Sequence, residues 1–457
     1  MSRRQPHSRC GVILVITLMI IAALALVTMS LQLLSRSSLA ASHGQKNNLQ
    51  ARQAAMSGIR RAIALRMMYP DDAGQWLDNP EGLADQPVVV QDGQIERGWY
   101  FTVYAPGEED EVRYGIIDEA SKINLMATDA ETMLASNLLS PAQIDCLIDW
   151  IDKDDEERPE GAESQFYLSR TPVGHEAKND QLLTVEELLL VAGFDAPTLW
   201  GEDANFNGTL EPNENDGDET FPPDNADGVL QRGLLSKFTV VSWDRDTNNA
   251  GKPRININGS SQDLAKLDDT DLPAETIEFI RFVRGRNIRF SHPVMLYDLE
   301  YQGQSSGVGA DELPMVLDLL SVSPSTGKRP LPGRININTA PEDILAAIAD
   351  IGEELAANLV AARRTLDPAQ KNSAAWLVGE GVMTKEDFRD LSGRITGRSL
   401  QFRIRSVGYH RPSGQFCALE AIVDIAQGKP RILYLRELTR CGLPVIPGDS
   451  ATTVIGG

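Results

Sequence analysis

GVILVITLMIIAALALVTMSLQLL, Gly11–Leu34, decides the fold of this 457-residue chain. Val12–Leu31 is a run of twenty residues without a charge. At a 1.5 Å rise that makes roughly 30 Å of helix, the thickness of a bilayer core. The segment ahead of it carries Arg3, Arg4 and Arg9 and no acid, which favours a cytoplasmic N-terminus with the rest of the chain facing outward. A secretory signal peptide is the plain alternative. Its apolar core runs about 7–15 residues and ends at a small-x-small site. Here the apolar run passes through Leu33 and Leu34 into more helix-forming sequence.

Downstream, Ala51–Tyr69 is rich in helix formers, with Ala55, Ile59, Ala62, Ile63 and Met67 at helical spacing. One long helix is therefore expected, apolar at its start and amphipathic further on. A short basic leader ending in Gly11, followed by such a helix, resembles the type IV pilin family. The resemblance implies a membrane peptidase that cuts between Gly11 and Val12, with methylation of the new terminus and retention of the helix. Most pilin-like subunits carry Glu at the fifth mature position, a buried carboxylate kept for a partner subunit. Ile16 stands there in this chain. That departure resembles the protein K family of type II secretion systems, minor pseudopilins placed at the filament tip with nothing above them to meet.

Strands are expected at Val88–Val90, Trp99–Ala105 and Glu111–Asp118, and again at Leu400–His410, Cys417–Ala426 and Arg431–Leu438. Their alternation suits an antiparallel sheet with one face half exposed. Helical patterns fill the interval. The expected fold class is α+β: a long N-terminal pilin-type helix packed on an antiparallel β-sheet, with a large inserted α-helical domain. The expected division is a leader at 1–11, a transmembrane helix at 12–34 and an amphipathic periplasmic helix at 35–70. Strands follow at 86–118, the insertion at 119–398, the last strands at 399–440 and a tail at 441–457.

The insertion repeats itself. Lys122-Ile123-Asn124-Leu125, Arg254-Ile255-Asn256-Ile257-Asn258 and Arg334-Ile335-Asn336-Ile337-Asn338 each precede a helix, and a second helix follows at Pro141–Ile151, Pro273–Arg284 and Glu353–Arg364. The spacing suits helix-hairpin-helix units. Such units bind nucleic-acid phosphates through backbone amides. Here Asp268, Asp269, Asp271, Asp350, Glu353 and Glu354 crowd the hairpins, and 43 Lys+Arg against 65 Asp+Glu leave a net charge of -22. That field opposes nucleic acid as a partner, so these units are read as packing modules. Asp118–Leu125, Leu147–Glu156, Gly161–Tyr167 and Thr184–Phe194 are similar to consecutive blocks of the protein K family. The stretch from about 195 to 330 matches that family least.

One ligand site follows from spacing. Asp203, Asn205, Asn207, Gly208 and Glu214 fit D-x-[DN]-x-[DN]-G-x5-E. A structural Ca2+ ion wants six to eight hard oxygens. Asp203, Asn205, Asn207 and Glu214 would offer side chains, Thr209 a carbonyl and Glu211 a direct or water-mediated contact. Pro212 and the Asp/Gly/Pro-rich run to Asp227 argue for a lone loop without paired helices. Asp216 and Asp218 are weaker candidates, as is the run Asp149, Asp152, Asp154, whose plain reading is a solvated acidic face. The resemblance adds that family members hold calcium in the helical domain. Asp244-Arg245-Asp246 begins like a calcium loop, but Ile255 stands at its twelfth position, so a turn is expected.

No nucleophile elbow, P-loop, HExxH or CxxC is present among five His and four Cys, so no catalytic residues are assigned and no enzyme is expected. His410 and Cys417 are expected on neighbouring strands, and Cys417 and Cys441 allow one disulfide without requiring it. The resemblance implies a non-enzymatic inner-membrane subunit that caps the pseudopilus and helps initiate its assembly for protein export. The implied partners are other minor pseudopilins, the major pseudopilin, the prepilin peptidase and the inner membrane, with no nucleic acid. Two other readings stay open: a membrane-anchored helix-hairpin-helix protein that takes up DNA, and a secreted calcium-dependent adhesin.

Overall fold

The computed structural model describes residues 10–89, 95–107, 111–170, 173–327, 329–348, 350–367 and 370–445. The expected leader falls almost wholly outside them, as does the tail beyond 445. One unbroken helix, Cys10–Met68, carries the expected apolar and amphipathic parts together. Its apolar portion is fully exposed, with a mean hydropathy of 2.7 over its most apolar window. By length and composition that window is sufficient to cross a membrane. From Ala51 onward the helix is buried on one face by Ala51, Ala54, Ala55, Ile59, Ala62 and Leu65.

That face lies on an antiparallel sheet in the order 86–89, 95–106, 401–410, 415–424, 431–437. Small residues set the approach. A Cβ on Gly408 would lie 2.2 Å from the Ala55 amide nitrogen, and one on Gly58 would lie 2.1 Å from Ser406 Oγ. Helix backbone therefore meets strand backbone. Trp99, Phe101, Val103, Phe402, Ile404, Leu419 and Val423 fill the space around the contact.

Alternation along Gln401–His410 sends Phe402 and Ile404 to the helix. Arg403, Arg405, Val407 and Tyr409 go to the opposite face. That second face was expected to be partly wet. It is covered by the insertion, and Arg403 and Arg405 are buried. Charged residues alternating with apolar ones mark an exposed face only when no counter-charge arrives from elsewhere in the chain, and here it does.

The strand expected at Glu111–Asp118 is broken into Val112–Arg113 and Ile117–Asp118. Gly115 passes so close to the Leu77 carbonyl that a Cβ there would sit 1.8 Å from it. The segment bends around the loop after the helix, and Arg113 donates to the Leu77 and Ile116 carbonyls.

The insertion has its own core, from Ile123 to Ile395. The three Ile-Asn segments each form a two-residue parallel pair with a later segment. Ile123–Asn124 pairs with Phe238–Thr239, Ile255–Asn256 with Leu320–Ser321, and Ile335–Asn336 with Ile395–Thr396. In each, the Asn Oδ1 accepts from the amide two residues on, at Met126, Asn258 and Asn338. Trp243–Arg245, expected as a turn, is a strand paired with Pro330–Pro332. Helices stand at Pro141–Ile151, Ala274–Arg284 and Gly352–Thr365, within two residues of expectation.

Candidate functional site

Asp118-Glu119-Ala120-Ser121-Lys122 is the junction where the sheet hands over to the insertion. Asp118 caps the short turn Glu119–Ser121 by accepting from the Ala120 amide. Its carboxylate also accepts from Ser399 Oγ, Thr339 Oγ1 and Asn336 Nδ2, which ties the third Ile-Asn unit to the first. Burial raises the Asp118 carboxyl above its ordinary range, against the pull of those hydrogen bonds.

Glu119 accepts from Arg403 Nε at 2.7 Å, with Lys122 Nζ at 3.7 Å. Arg403 Nη1 and Arg405 Nε donate to Glu420 at 2.8 and 2.7 Å, and Arg436 Nε lies 2.9 Å from the same carboxylate. Burial pushes Glu119 up, but Arg403 and Lys122 outweigh it and hold the carboxyl at about 2. Burial lowers Lys122 to about 8 despite Glu119. Glu420 is likewise held well below the carboxylate range by its three arginines, against burial. This is a buried, charge-compensated seam between sheet and insertion.

The loop 203–214 lies against the same seam. Asp203, Asn205, Asn207 and Glu214 are all buried. Gly208 has φ +80°, the left-handed turn that its place in the pattern requires. Asp203 accepts from the amides of Asn207 and Gly208, each at 3.0 Å. Asn207 Oδ1 accepts from the Thr209 amide at 2.7 Å. Glu211 accepts from both asparagine amides, and Glu214 from the Ala204 and Glu211 amides. Asp203, Asn205, Asn207, Glu211 and Glu214 thus share one hydrogen-bond network of the loop, Thr209 enters it through its amide, and among the described residues the three carboxylates do not converge on one point. Burial pushes Glu214 up to about 7, and also raises Asp203. As expected, no helix pair flanks the loop; a single 3-10 turn, Pro212–Glu214, closes it. Phe206, at φ +60°, reaches from the loop tip to the guanidinium of Arg405 at 4.9 Å.

A second oxygen cluster differs from its sequence reading. Asp149 is fully buried and Glu163 is 4% exposed, so this run is not simply a solvated face. Asp152, Asp154 and Glu163 each present a carboxylate oxygen within 4.8 Å of the others. Asp149 Oδ1, Asp152 Oδ1 and both Glu163 oxygens are buried without a hydrogen-bond partner. Arg158 Nε stands 3.7 Å from Asp149 Oδ1. Asn179 is fastened alongside by its Nδ2, which donates to the Asp154 carbonyl. Burial, then Asp149 and Asp152, push Glu163 up to about 7. The donor set is all oxygen and suits a hard cation. Glu163, which joins this cluster in the fold, was not among the residues expected from sequence; Gly161-Ala162-Glu163 lies just beyond the acidic run. A Cβ on Gly161 would meet Asp149 Oδ2 at 1.9 Å.

Asp216 and Asp218 join neither cluster. Asp216 binds Thr220 and Asp218 is exposed. Gly11 and Val12 lie in the first turns of the long helix. Cys146, Cys417 and Cys441 are free thiols, and Cys417 pairs across the sheet with Gly408 while His410 faces Gln415.

Residues 125–200, which include the Asp149–Glu163 cluster, match the family described as type II secretion system (T2SS), protein K. No curated protein matches the chain. Among solved structures, a chain of the GspK-GspI-GspJ complex from the enterotoxigenic Escherichia coli type 2 secretion system is similar at 12% identity. The match covers 87% of this chain and 98% of that one, with a TM-score of 0.41. The likeness of this chain to the type II secretion system protein K family is thus carried by residues 125–200.

Proposed function

We propose that the chain is a minor pseudopilin that caps the pseudopilus tip and helps initiate its assembly for export of folded proteins. The observation that carries this reading is the division of one helix, Cys10–Met68, into an exposed apolar half and a half clamped to the sheet. Such a helix serves first as an inner-membrane anchor with its N-terminus in the cytoplasm. Afterwards it packs sideways against the helices of sibling subunits. Ile16 in place of an acid, and the bulk of the insertion, support a terminal place in the filament. The partners in this reading are other minor pseudopilins, the major pseudopilin and the prepilin peptidase.

Calcium has a structural role in this reading. The 203–214 loop and the Asp149–Glu163 cluster gather acids that repel one another when empty, and a cation orders them by mass action. The deciding experiment is co-expression with the prepilin peptidase and mass measurement of the membrane-extracted product. A mature N-terminus at Val12 supports the proposal; one beyond Leu34 overturns it, because the helix would be gone.

A further inference from the structure

Part of the stretch from about 195 to 330 serves the junction: besides the loop at 203–214, Thr239 Oγ1 donates to Glu119 and the Leu235 carbonyl accepts from Lys122 Nζ. Its later part does something else. Together with residues 331–398 it lines a half-open cavity of about 710 Å³, the size of a small-molecule site. In a chain of net charge -22, four arginines line this one space: Arg254, Arg329, Arg334 and Arg398. Three acids line it too, and two of them are already engaged. Asp244 accepts from Arg398 Nη2 at 2.6 Å and from Thr396 Oγ1 at 3.1 Å. Asp318 accepts from the Asn249 amide at 2.8 Å. The third, Asp246, also lies on the lining.

Arg398 is spent on Asp244 and the Thr247 and Arg245 carbonyls, but Arg254 and Arg334 are less well served. Arg254 uses Nε on the Asp318 carbonyl. Arg334 Nε is buried with no partner, and its Nη1 stands 3.9 Å from Asp244. That Nε is closed off from the cavity, but the Arg334 side chain keeps 21% exposure, and its terminal nitrogens have only the long contact to Asp244, so they can take an acceptor from the cavity. The electrostatics agree. Burial lowers Arg254 and Arg334, with Arg398 pushing the same way and Asp244 opposing. Burial, then Arg334 and Arg254, hold His292 on the cavity wall down to about 4, so it is neutral near pH 7. Met315, Leu317 and Phe388 add apolar wall.

We propose that this cavity binds a small organic anion, a carboxylate or phosphate monoester on an apolar body. Arg254 and Arg334 hold the oxyanion by charge-assisted hydrogen bonds, and Met315, Leu317 and Phe388 take the apolar part. The proposal is independent of the assembly role.

The test is isothermal titration calorimetry on the full chain in neutral detergent, with four probes: phenylacetate, phenyl phosphate, inorganic phosphate and benzyl alcohol. Saturable binding of either phenyl anion, weakening with added salt and clearly tighter than inorganic phosphate or benzyl alcohol, is expected. Which phenyl anion binds tells carboxylate from phosphate. Arg334→Gln is expected to raise Kd about tenfold. Arg254→Gln, at the other guanidinium that holds the anion, is expected to raise it about as much, and it decides the matter if Arg334→Gln does not fold. No saturation by either phenyl anion at millimolar concentration overturns the proposal. So does equal binding of benzyl alcohol or of inorganic phosphate, or an unchanged Kd in every variant that folds.

Discussion

Glu163 holds two buried carboxylate oxygens with no donor to meet them, at the end of a run that begins with Asp149. Its pKa rises from 4.5 to about 7 on folding. The sign follows from linkage: an acid raised in the folded state contributes stability that is fully present below pH 4.5 and is lost as pH climbs through about 7. Without calcium, the urea midpoint is expected to fall across that window; with millimolar calcium the fall is expected to be abolished. Glu163→Gln removes the reason for both effects, so its midpoint is expected to change little with pH there and to respond less to chelation. A chelator that leaves melting and protease sensitivity of the wild-type chain unchanged would remove calcium from the account. Asp152 and Asp154 were visible in sequence because they are neighbours. Glu163 was not, because the chain must turn back over Gly161 to present it. The turn of the 203–214 loop was legible in sequence, since its pattern is local and Gly208 marks it.

The long helix and its sheet were readable as elements, because an uncharged run of this length and strict alternation each have one simple structural solution. Their closeness was not readable. Gly408 and Gly58 look like ordinary interruptions in a strand and a helix, yet Gly408 is where the two backbones touch and Gly58 is where the helix makes room for Ser406 and Phe101. Gly408→Val is expected to cost about 3 kcal/mol, at the top of the overpacking range. It is also expected to open the helix to protease between residues 51 and 68. Gly414→Ala is the control. That turn is open to added atoms, although its φ of +66° makes the substitution mildly strained. Equal unfolding midpoints for the two variants would contradict the close contact. The broken segment at 111–118 escaped the sequence for a related reason: β propensity was right for Val112 and Ile117, and the nearby Leu77 carbonyl overrode it.

Across the whole molecule, the seam of Glu119, Arg403, Glu420, Arg405 and Lys122 joins two separately cored bodies by buried charge. Removing one member strands the others. Glu420→Gln is expected to destabilise the chain by about 3–5 kcal/mol, read as a lowered urea midpoint at neutral pH. A loss under 1 kcal/mol, about that of a surface pair, would mean that water reaches the seam. The arginines were visible in sequence, but Glu119 lies 284 residues from Arg403 and Glu420 on the neighbouring strand, and only folding shows that the face is dry. Phe402 stands beside Asp118 and Arg403 beside Ile117 in the sheet, so the insertion leaves and re-enters through adjacent rungs of one ladder. The great bulk of the chain is therefore a cassette: splicing Ile117 to Phe402 through a tight turn would leave a slim, self-contained stalk, and the cargo-sized remainder is free to enlarge without rethreading the sheet.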